Sequence, residues 1–338
     1  MNRYDRQERV RQIGAAGQAK IGQSTILIAG LGALGSYAAE QLVRAGVKGL
    51  ILVDPDTVTT TNLQRQALFT EDDAKQQRLK VVAAKEHLQA INPTCQITVL
   101  PAPLSPDIIT SYQFNLCLDC LDNYSARDLL NRLALAAHFD YIFASCAGTY
   151  GNVMAISPQE HPCLNCLFPN LEELKQTDCD LIGVNTALVP TISGLQISLA
   201  LHYLVDKSSI NFNELLTVDN WTMQFERFHV TKDPACLSCR EGKRALQQVA
   251  DGPALRMLCG EDAYYTVVKE LPEMVKLREK LQQDDVLLNA NPLFIHFRWD
   301  NLPVSIFKNG KIIMYNLADN TAAQRQLISL NKLLQEVR

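Results

Sequence analysis

A glycine-rich turn between an apolar strand and a helix constrains the fold of this chain more than any other feature. Gly30-Leu31-Gly32-Ala33-Leu34-Gly35 follows the apolar run 25–29 and leads into a helical pattern over 36–45. Such glycines let the backbone approach a phosphate, and the helix N-terminus offers free N–H groups and the positive end of its dipole. Asp54 ends the next apolar run, where a carboxylate can accept hydrogen bonds from ribose hydroxyls. The pattern predicts a nucleotide site; the alternative is a tight turn needed only for close packing.

The alternation of strand and helix patterns predicts the fold class. Short apolar runs indicate buried strands at 25–29, 50–54, 96–100, 115–119 and 141–145. Helical patterns at 36–45, 80–90 and 126–137 separate them, which is typical of a mostly parallel sheet covered on both faces. After Gly148 the strand patterns at 152–157, 215–220 and 223–230 favour antiparallel pairing.

We therefore expect an α/β, Rossmann-like first domain over residues 1–245, whose mostly parallel sheet continues into antiparallel strands. A small α+β domain of unknown role is expected over 254–338. In it, Asn309-Gly310 between two strand patterns indicates a hairpin turn.

The composition and the net charge of the chain argue against nucleic acid and membranes as partners. The 338 residues carry a net charge of −4, so no basic field points to nucleic acid or to an acidic membrane surface. The first nine residues are too charged for a secretory signal. The apolar stretch 187–205 contains Pro190, Gln196 and His202, which favours a buried helix over a membrane span. We expect a cytoplasmic protein with reduced cysteines.

Four of the ten cysteines form two C-x-x-C pairs, Cys163/Cys166 and Cys236/Cys239. Two such pairs supply four thiolates for a tetrahedral Zn²⁺ ion, and four protein ligands indicate a structural site. Redox-active C-x-x-C motifs are the alternative.

Basic residues favour a triphosphate over a nicotinamide cofactor. Arg6, Arg65 and Lys80 carry more positive charge than hydride transfer requires, although each alone could be a solvated surface charge. A carboxylate attacking an α-phosphate at 4 Å meets a repulsion of about 4 kcal/mol at an effective dielectric near 20, which cations would offset.

Two acids lie at the end of the strand pattern at 115–119, the edge where α/β sheets bind ligands: Asp119 is its last residue and Asp122 comes soon after it. We interpret Asp119 as structural and Asp122 as a Mg²⁺ ligand. Capping of the following helix is the alternative for both.

Taken together, these motifs resemble the ThiF/MoeB/HesA family, the bacterial relatives of ubiquitin-activating enzymes, over roughly residues 1–245. The matching motifs are Arg3-Tyr4-x-Arg6-Gln7, Gly30-x-Gly32-x-x-Gly35, Asp54-x-Asp56-x-Val58, Asn62-Leu63-Gln64-Arg65-Gln66, Lys80 with Ile91-Asn92-Pro93, Asp119-Cys120-x-Asp122-Asn123 and both cysteine pairs. The resemblance implies an adenylyltransferase that uses Mg²⁺ and ATP and releases pyrophosphate. Its implied substrate is the C-terminal glycine carboxylate of a ubiquitin-fold sulfur carrier of the ThiS or MoaD type, in thiamine or molybdopterin biosynthesis.

The resemblance also implies roles for single residues. Those implied to line the ATP site are Gly30, Gly32, Gly35, Asp54, Asp56, Asn62, Arg65, Gln66, Lys80, Asp122 and Asn123. Of these, Arg65 and Lys80 are implied to contact phosphates and Asp122 to hold Mg²⁺. Arg6 is implied to reach into the partner subunit of a homodimer. Because the segment before Lys80 is slightly longer than in the family, Lys75 and Arg78 remain alternatives to it.

Cys179 corresponds to a cysteine that in some relatives forms a thioester, disulfide or persulfide with the carrier. The neighbouring Asp178 and Asp180 should raise the pKa of its thiol, which favours a non-catalytic role, and both interpretations stay open.

Three rival functions remain. The first is adenylation of a peptide or of a small-molecule carboxylate. The second is a nicotinamide-dependent oxidoreductase that uses the same glycine loop. The third is a nucleotide-binding scaffold without turnover.

Overall fold

The computed structural model describes residues 2–174, 183–241, 255–258, 263–268, 271–291, 294–308 and 310–337. The chain divides into two compact units, Met1–Gln248 and Val249–Arg338.

The first unit is built on an eight-stranded sheet with the strand order β3-β2-β1-β4-β5-β6-β7-β8. The strands are β1 (Thr25–Ala29), β2 (Gly49–Val53), β3 (Gln96–Leu100), β4 (Leu116–Asp119), β5 (Tyr141–Ala147), β6 (Tyr150–Ile156), β7 (Glu214–Asp219) and β8 (Gln224–His229). Strands β1 to β5 pair in parallel, and β5 to β8 pair antiparallel. The predicted Rossmann-like sheet that continues into antiparallel strands is confirmed.

The helices of the first unit precede, connect or follow these strands. They are α1 (Asp5–Glu8), α2 (Gly14–Ile21), α3 (Ala33–Ala45), α4 (Glu71–Lys75), α5 (Lys80–Ile91), α6 (Pro106–Ser111), α7 (Tyr124–Ala137), α8 (Leu164–Leu167), α9 (Leu171–Leu174), α10 (Leu188–Val205) and α11 (Leu237–Glu241). Helix α3 ends at Gly46, whose φ of +89° is the left-handed conformation that terminates many helices.

The two faces of the sheet are covered by different helices. Ile142 and Ala144 belong to the core that includes residues of α3, α5 and α10, and we call this side the α10 face. Tyr141 and Phe143 point the other way, because side chains alternate along a strand. The Tyr141 hydroxyl donates to Asn131 Oδ1 of α7 at 3.1 Å, so this side is the α7 face.

Within the described residues, α10 is the one helix long and apolar enough to cross a membrane. It packs against α2, α3, β5 and β6, and Leu188, Val189, Ile192 and Ile197 are buried there. This packing accounts for its apolar composition, as the sequence predicts for a core helix.

The second unit is an antiparallel sheet of six strands in the order β11-β12-β13-β14-β10-β9. Its strands are β9 (Arg256–Leu258), β10 (Ala263–Val267), β11 (Leu287–Asn291), β12 (Phe294–Trp299), β13 (Leu302–Phe307) and β14 (Lys311–Met314), and its helices are α12 (Met274–Gln283) and α13 (Asn320–Glu336). Residues of both helices, among them Leu281 and Leu330, share one core with Phe297 and Ile306 of the sheet. Asn309 of the predicted hairpin turn lies outside the described residues, whereas β13 and β14 pair antiparallel on either side of it.

Candidate nucleotide site and metal centre

The three glycines of the turn after β1 are present for different structural reasons. A Cβ atom at Gly30, whose φ is +90°, would lie 2.6 Å from the Cys120 carbonyl oxygen, and one at Gly35 would lie 2.1 Å from the Gly30 carbonyl oxygen. Both positions therefore require glycine for packing. At Gly32, the nearest atom to such a Cβ is Gln66 Nε2 at 3.8 Å, so this position has no tight neighbour. Gly32 is where the backbone leaves room for a ligand.

Asp54 holds the glycine turn in place. Its Oδ2 accepts a hydrogen bond from the Leu31 N–H at 2.6 Å, and its Oδ1 accepts one from the Asp56 N–H at 2.8 Å. The side chain is buried at the end of β2. A carboxylate has about four lone-pair sites, so the predicted contact to ribose hydroxyls remains chemically open.

Lys80 and Asp56 form a buried ion pair beside this turn. Lys80 Nζ lies 2.9 Å from Asp56 Oδ2, and Lys80 is only 4% exposed. Burial raises the pKa of Asp56 to about 7, although Lys80 lowers it and the neighbouring Asp54 and Asp122 raise it. Three predicted carboxylates and one predicted lysine thus interact electrostatically at the carboxyl edge of the sheet.

Neither of the two alternatives to Lys80 is available at this position: Arg78 forms ion pairs with other residues, and Lys75 lies in α4. Arg78 Nη1 forms an ion pair with Asp73 at 2.8 Å, and a second ion pair joins Arg78 to Glu86. Lys75 is exposed in the last turn of α4. The structure therefore favours Lys80 as the lysine of the site.

The segment after β2 contributes three further predicted residues. Asn62 is buried, and its Oδ1 accepts a hydrogen bond from the Thr59 N–H at 3.2 Å. Arg65 is half-buried and donates from Nη1 to the Thr61 carbonyl at 3.0 Å. Gln66 is 4% exposed, and its Oε1 has no hydrogen-bond partner among the described residues. An unsatisfied buried acceptor is costly, so a donor from a bound ligand fits this position.

Asp119 is structural, as expected from the sequence. It is fully buried, and Arg127 Nη1 lies 3.1 Å from its Oδ2. Arg127 also donates to the Ala144 carbonyl at 2.8 Å and to the Leu121 carbonyl. Burial raises the pKa of Asp119 to about 6, and Arg127 opposes this shift. Sequence reasoning missed Arg127, which positions the loop that carries Asp122.

Asp122 and Asn123, the two polar residues of the loop after β4, have different structural roles. Asn123 is the N-cap of α7, and its Oδ1 accepts a hydrogen bond from the Ala126 N–H at 2.8 Å. The capping role that the sequence left open for Asp119 and Asp122 is therefore filled by Asn123, whose predicted contact with ATP remains a prediction. Asp122 is exposed, and its Oδ1 accepts from Asn123 Nδ2 at 3.0 Å. A carboxylate in this position suits Mg²⁺, which prefers oxygen ligands and keeps several waters.

Arg6 is not brought to this site. Its neighbours Arg3 and Gln7 donate to the carbonyls of Ile91 and Ala45 at 2.9 and 3.0 Å, which are the last residues of α5 and α3. Helix α3 begins at the glycine turn and its 13 residues span about 20 Å. The exposed Arg6 therefore lies at the opposite edge of the sheet from the turn.

The four predicted zinc ligands converge. Sγ–Sγ distances are 3.8 Å for Cys163–Cys166, 3.7 Å for Cys163–Cys236 and 3.7 Å for Cys166–Cys239. A tetrahedral Zn²⁺ with Zn–S bonds of about 2.3 Å requires sulfur separations of about 3.8 Å. The four thiols therefore fit zinc, and they join the chain after β6 to the chain after β8. Cys179 lies outside the described residues.

Comparison with known proteins supports one family. The model of the ThiF family matches residues 4–238. The sulfur carrier protein ThiS adenylyltransferase of Bacillus subtilis is 30% identical over 329 residues, which cover 95% of this chain and 97% of that protein. The molybdopterin-synthase adenylyltransferase of Escherichia coli is 34% identical over 242 residues, 71% of this chain and 96% of that protein.

Solved structures agree at the level of the fold. The structure of E. coli MccB with ATP superposes with a TM-score of 0.61 at 19% identity, covering 71% of this chain and 74% of that one.

Proposed function

The chain belongs to the ThiF family, and from this premise we propose that it is a cytoplasmic adenylyltransferase of a sulfur-carrier protein. It uses Mg²⁺ and ATP to adenylate the carrier's C-terminal glycine carboxylate. A carboxylate oxygen forms a bond to the α-phosphorus, the bond between the α-phosphorus and the bridging oxygen breaks, and pyrophosphate leaves with the electron pair.

One observation carries this proposal. Buried Lys80 and the carboxylates of Asp54, Asp56 and Asp122 interact beside Gly32, the position with room for a ligand. A buried cation beside a glycine turn can bind a phosphate chain, and an exposed carboxylate nearby can bind a divalent metal. Together they suit a nucleoside triphosphate better than a nicotinamide.

The proposed chemistry requires little proton transfer from this chain. The nucleophile is already an anion, so the enzyme's task is to position it and to stabilise negative charge at the α-phosphate. Lys80 and Arg65 are proposed to contact phosphate oxygens, Gln66 and Asn62 to line the pocket, and Asp54 to bind the ribose. Mg²⁺ held at Asp122 would neutralise part of the phosphate charge.

We favour a ThiS-type carrier, and hence thiamine biosynthesis. The match to the Bacillus subtilis ThiS enzyme extends through both units of the chain, whereas the match to the E. coli molybdopterin enzyme covers 71% of it. A MoaD-type carrier of molybdopterin biosynthesis is the second candidate. The cysteine cluster is proposed to hold structural zinc in either case.

We further propose a homodimer in which Arg6 of the partner subunit completes each site. Arg6 is exposed, and α3 separates it by about 20 Å from the glycine turn of its own chain. A role for Arg6 at the phosphates therefore requires a second copy.

Exchange of labelled pyrophosphate into ATP tests the proposed reaction. Exchange should require an intact ThiS or MoaD carrier and should vanish when the carrier lacks its C-terminal glycine. Tight NADH binding without exchange would instead favour the oxidoreductase. ATP binding without exchange for any carrier would favour the scaffold. Cys179→Ala should leave exchange intact, because adenylation precedes any sulfur chemistry.

A further inference from the structure

Asn131 of α7 contacts the chain segment between the first two predicted zinc ligands. Its Oδ1 accepts a hydrogen bond from the Leu164 N–H at 3.0 Å, and its Nδ2 donates to Asn165 Oδ1 at 3.0 Å. Leu164 and Asn165 are the two residues between Cys163 and Cys166. One side chain of α7 therefore binds both the main chain and a side chain of the first C-x-x-C pair.

The hydrogen bond to Leu164 replaces a helix cap. Helix α8 begins at Leu164, and the first N–H groups of a helix have no partner within it. The N-cap residue usually accepts from one of them, but the N-cap of α8 is Cys163, whose side chain makes no capping hydrogen bond among the residues that the structure describes. Its Sγ lies instead 3.8 and 3.7 Å from the Sγ atoms of Cys166 and Cys236. Asn131 therefore supplies, from another element, the acceptor that a metal-binding thiolate does not supply.

The side chain of Asn131 is fixed in one orientation. It is fully buried, and its Oδ1 accepts a second hydrogen bond from the Tyr141 hydroxyl at 3.1 Å. An amide oxygen has two lone pairs, so both are used by Leu164 and Tyr141. Rotation of the amide would leave two buried donors without an acceptor, which is costly. The main chain at Leu164 is therefore held at a fixed position relative to α7.

Helix α7 also holds the loop that carries Asp122. Arg127 lies one turn before Asn131 and hence on the same face of the helix. It forms an ion pair with Asp119 Oδ2 at 3.1 Å and donates to the Leu121 carbonyl. One face of a single helix therefore holds both the loop of Asp122 and the first cysteine pair.

We propose that Asn131 is a positioning residue of the metal centre, which fixes the main chain between Cys163 and Cys166 before a metal binds and anchors this centre to α7. This inference rests on the zinc site of the proposed function and not on the adenylation reaction. Hydrogen-bond partners of the ligands typically contribute about 10- to 100-fold to metal affinity, because they hold the ligands in the binding orientation. Without Asn131 all four thiols remain, but the first pair must be ordered when the metal binds.

Titration of the metal-free full chain with Co²⁺ tests this role, because the visible absorption of Co²⁺ bound to thiolates reports its coordination geometry. Asn131→Ala should weaken the binding of Co²⁺, and of Zn²⁺ measured by displacement of Co²⁺, about 10- to 100-fold. Asn92→Ala is the matched control. It removes another buried asparagine, whose Nδ2 donates to the Tyr4 hydroxyl at 3.1 Å and to the Val43 carbonyl at 3.3 Å. The Asn92→Ala protein should bind both metals as tightly as the wild type.

The outcomes separate this inference from the zinc site on which it rests. A folded Asn131→Ala protein with wild-type metal affinity, or one weakened no more than Asn92→Ala, would overturn the role of Asn131 and leave the zinc site standing. A wild-type protein that binds neither metal would overturn both.

If Asn131→Ala does not fold, as judged by near-ultraviolet circular dichroism, Asn165→Ala decides. This variant removes only the acceptor of Asn131 Nδ2, at a half-buried position of the first cysteine pair. It should weaken metal binding severalfold, and an unchanged affinity would contradict the inference.

Discussion

Lys80 is the residue whose surroundings say most about the site. A buried ion pair seldom stabilises a fold more than apolar residues of the same size, because both charges lose their hydration. Lys80 is nevertheless buried against Asp56, and Asp54 and Asp122 add further negative charge. This cost is reasonable where a cation must be held ready for an anionic ligand.

Lys80→Ala should lower the kcat of pyrophosphate exchange about 10²- to 10³-fold, the usual loss for one donor that stabilises a developing oxyanion. The exposed Lys75 serves as control, and Lys75→Ala should exchange at the wild-type rate. Near-ultraviolet circular dichroism checks that both variants fold. A well-folded Lys80→Ala enzyme that keeps exchange within a factor of ten would remove Lys80 from the phosphates.

Local motifs were predictable from the sequence, whereas tertiary partners were not. The residues of the glycine turn, Asp54 and Asp122 are set by short-range patterns at strand ends. The pairing of Asp119 with Arg127 depends on how α7 packs on β4, and no local pattern encodes it. The unsatisfied Gln66 oxygen likewise becomes visible only once its surroundings are packed.

At the scale of elements, continuous apolar strands were predicted within a few residues, because burial on both faces leaves an unbroken apolar run. Strand β11 had no such pattern. Its residues Leu287–Asn291 contain two asparagines, and its pairing with β12 shifts register between Leu287 and Asn289. The short helices do not depend on periodicity. Helix α4 begins with a capping box between Thr70 and Asp73, whereas α1 has no side-chain cap and is held by tertiary contacts such as the hydrogen bond from Gln7 to the Ala45 carbonyl.

The cysteine cluster joins the segment after β6 to the segment after β8, which are distant in sequence. Losing one zinc ligand should therefore separate these two segments. Cys236→Ser should lower bound zinc from one equivalent to nearly none and lower the thermal midpoint of the first unit. Zinc is measured by atomic emission after dialysis. Cys95→Ser, a buried cysteine outside the cluster, should keep its zinc. Full zinc content in the Cys236→Ser protein would contradict a four-thiolate site.

Strand β12 carries a buried histidine that should make the second unit acid-sensitive. Burial lowers the pKa of His296 from 6.5 to about 4, and its Nδ1 lies 2.9 Å from Ser305 Oγ. The unfolded chain takes up a proton below about pH 6.5, whereas the folded one does so only near pH 4. The free energy of unfolding should therefore fall by up to about 3 kcal/mol as the pH decreases between these values.

Urea unfolding between pH 7.5 and 4.5 measures this dependence. The chain has two tryptophans, so Trp221→Phe leaves Trp299 as the reporter of the second unit. His296→Gln should flatten the pH dependence, and the exposed His229→Gln should not. Equal slopes for wild type and His296→Gln would mean that another group controls acid stability.

At the scale of the whole molecule, Arg6 is separated from the glycine turn of its own chain. The proposal that Arg6 completes the site of a partner subunit can therefore be tested with mixed dimers. Arg6→Ala and Asp122→Ala should each be inactive alone. Mixed dimers should recover part of the activity, because one of their two sites then has both residues intact. Exchange assays on co-expressed, differently tagged subunits measure this recovery. No recovery despite confirmed subunit exchange would contradict a site shared between subunits.

The proposed reaction of the whole molecule is the transfer of AMP to the C-terminal end of a carrier protein. Intact-mass spectrometry of Bacillus subtilis ThiS tests it directly, after incubation with the enzyme, Mg²⁺, ATP and pyrophosphatase. The carrier should become heavier by one AMP group, attached at the C-terminal carboxylate, and this increase in mass should be absent with Lys80→Ala enzyme. A carrier that stays unmodified while the enzyme binds both ATP and ThiS would contradict it.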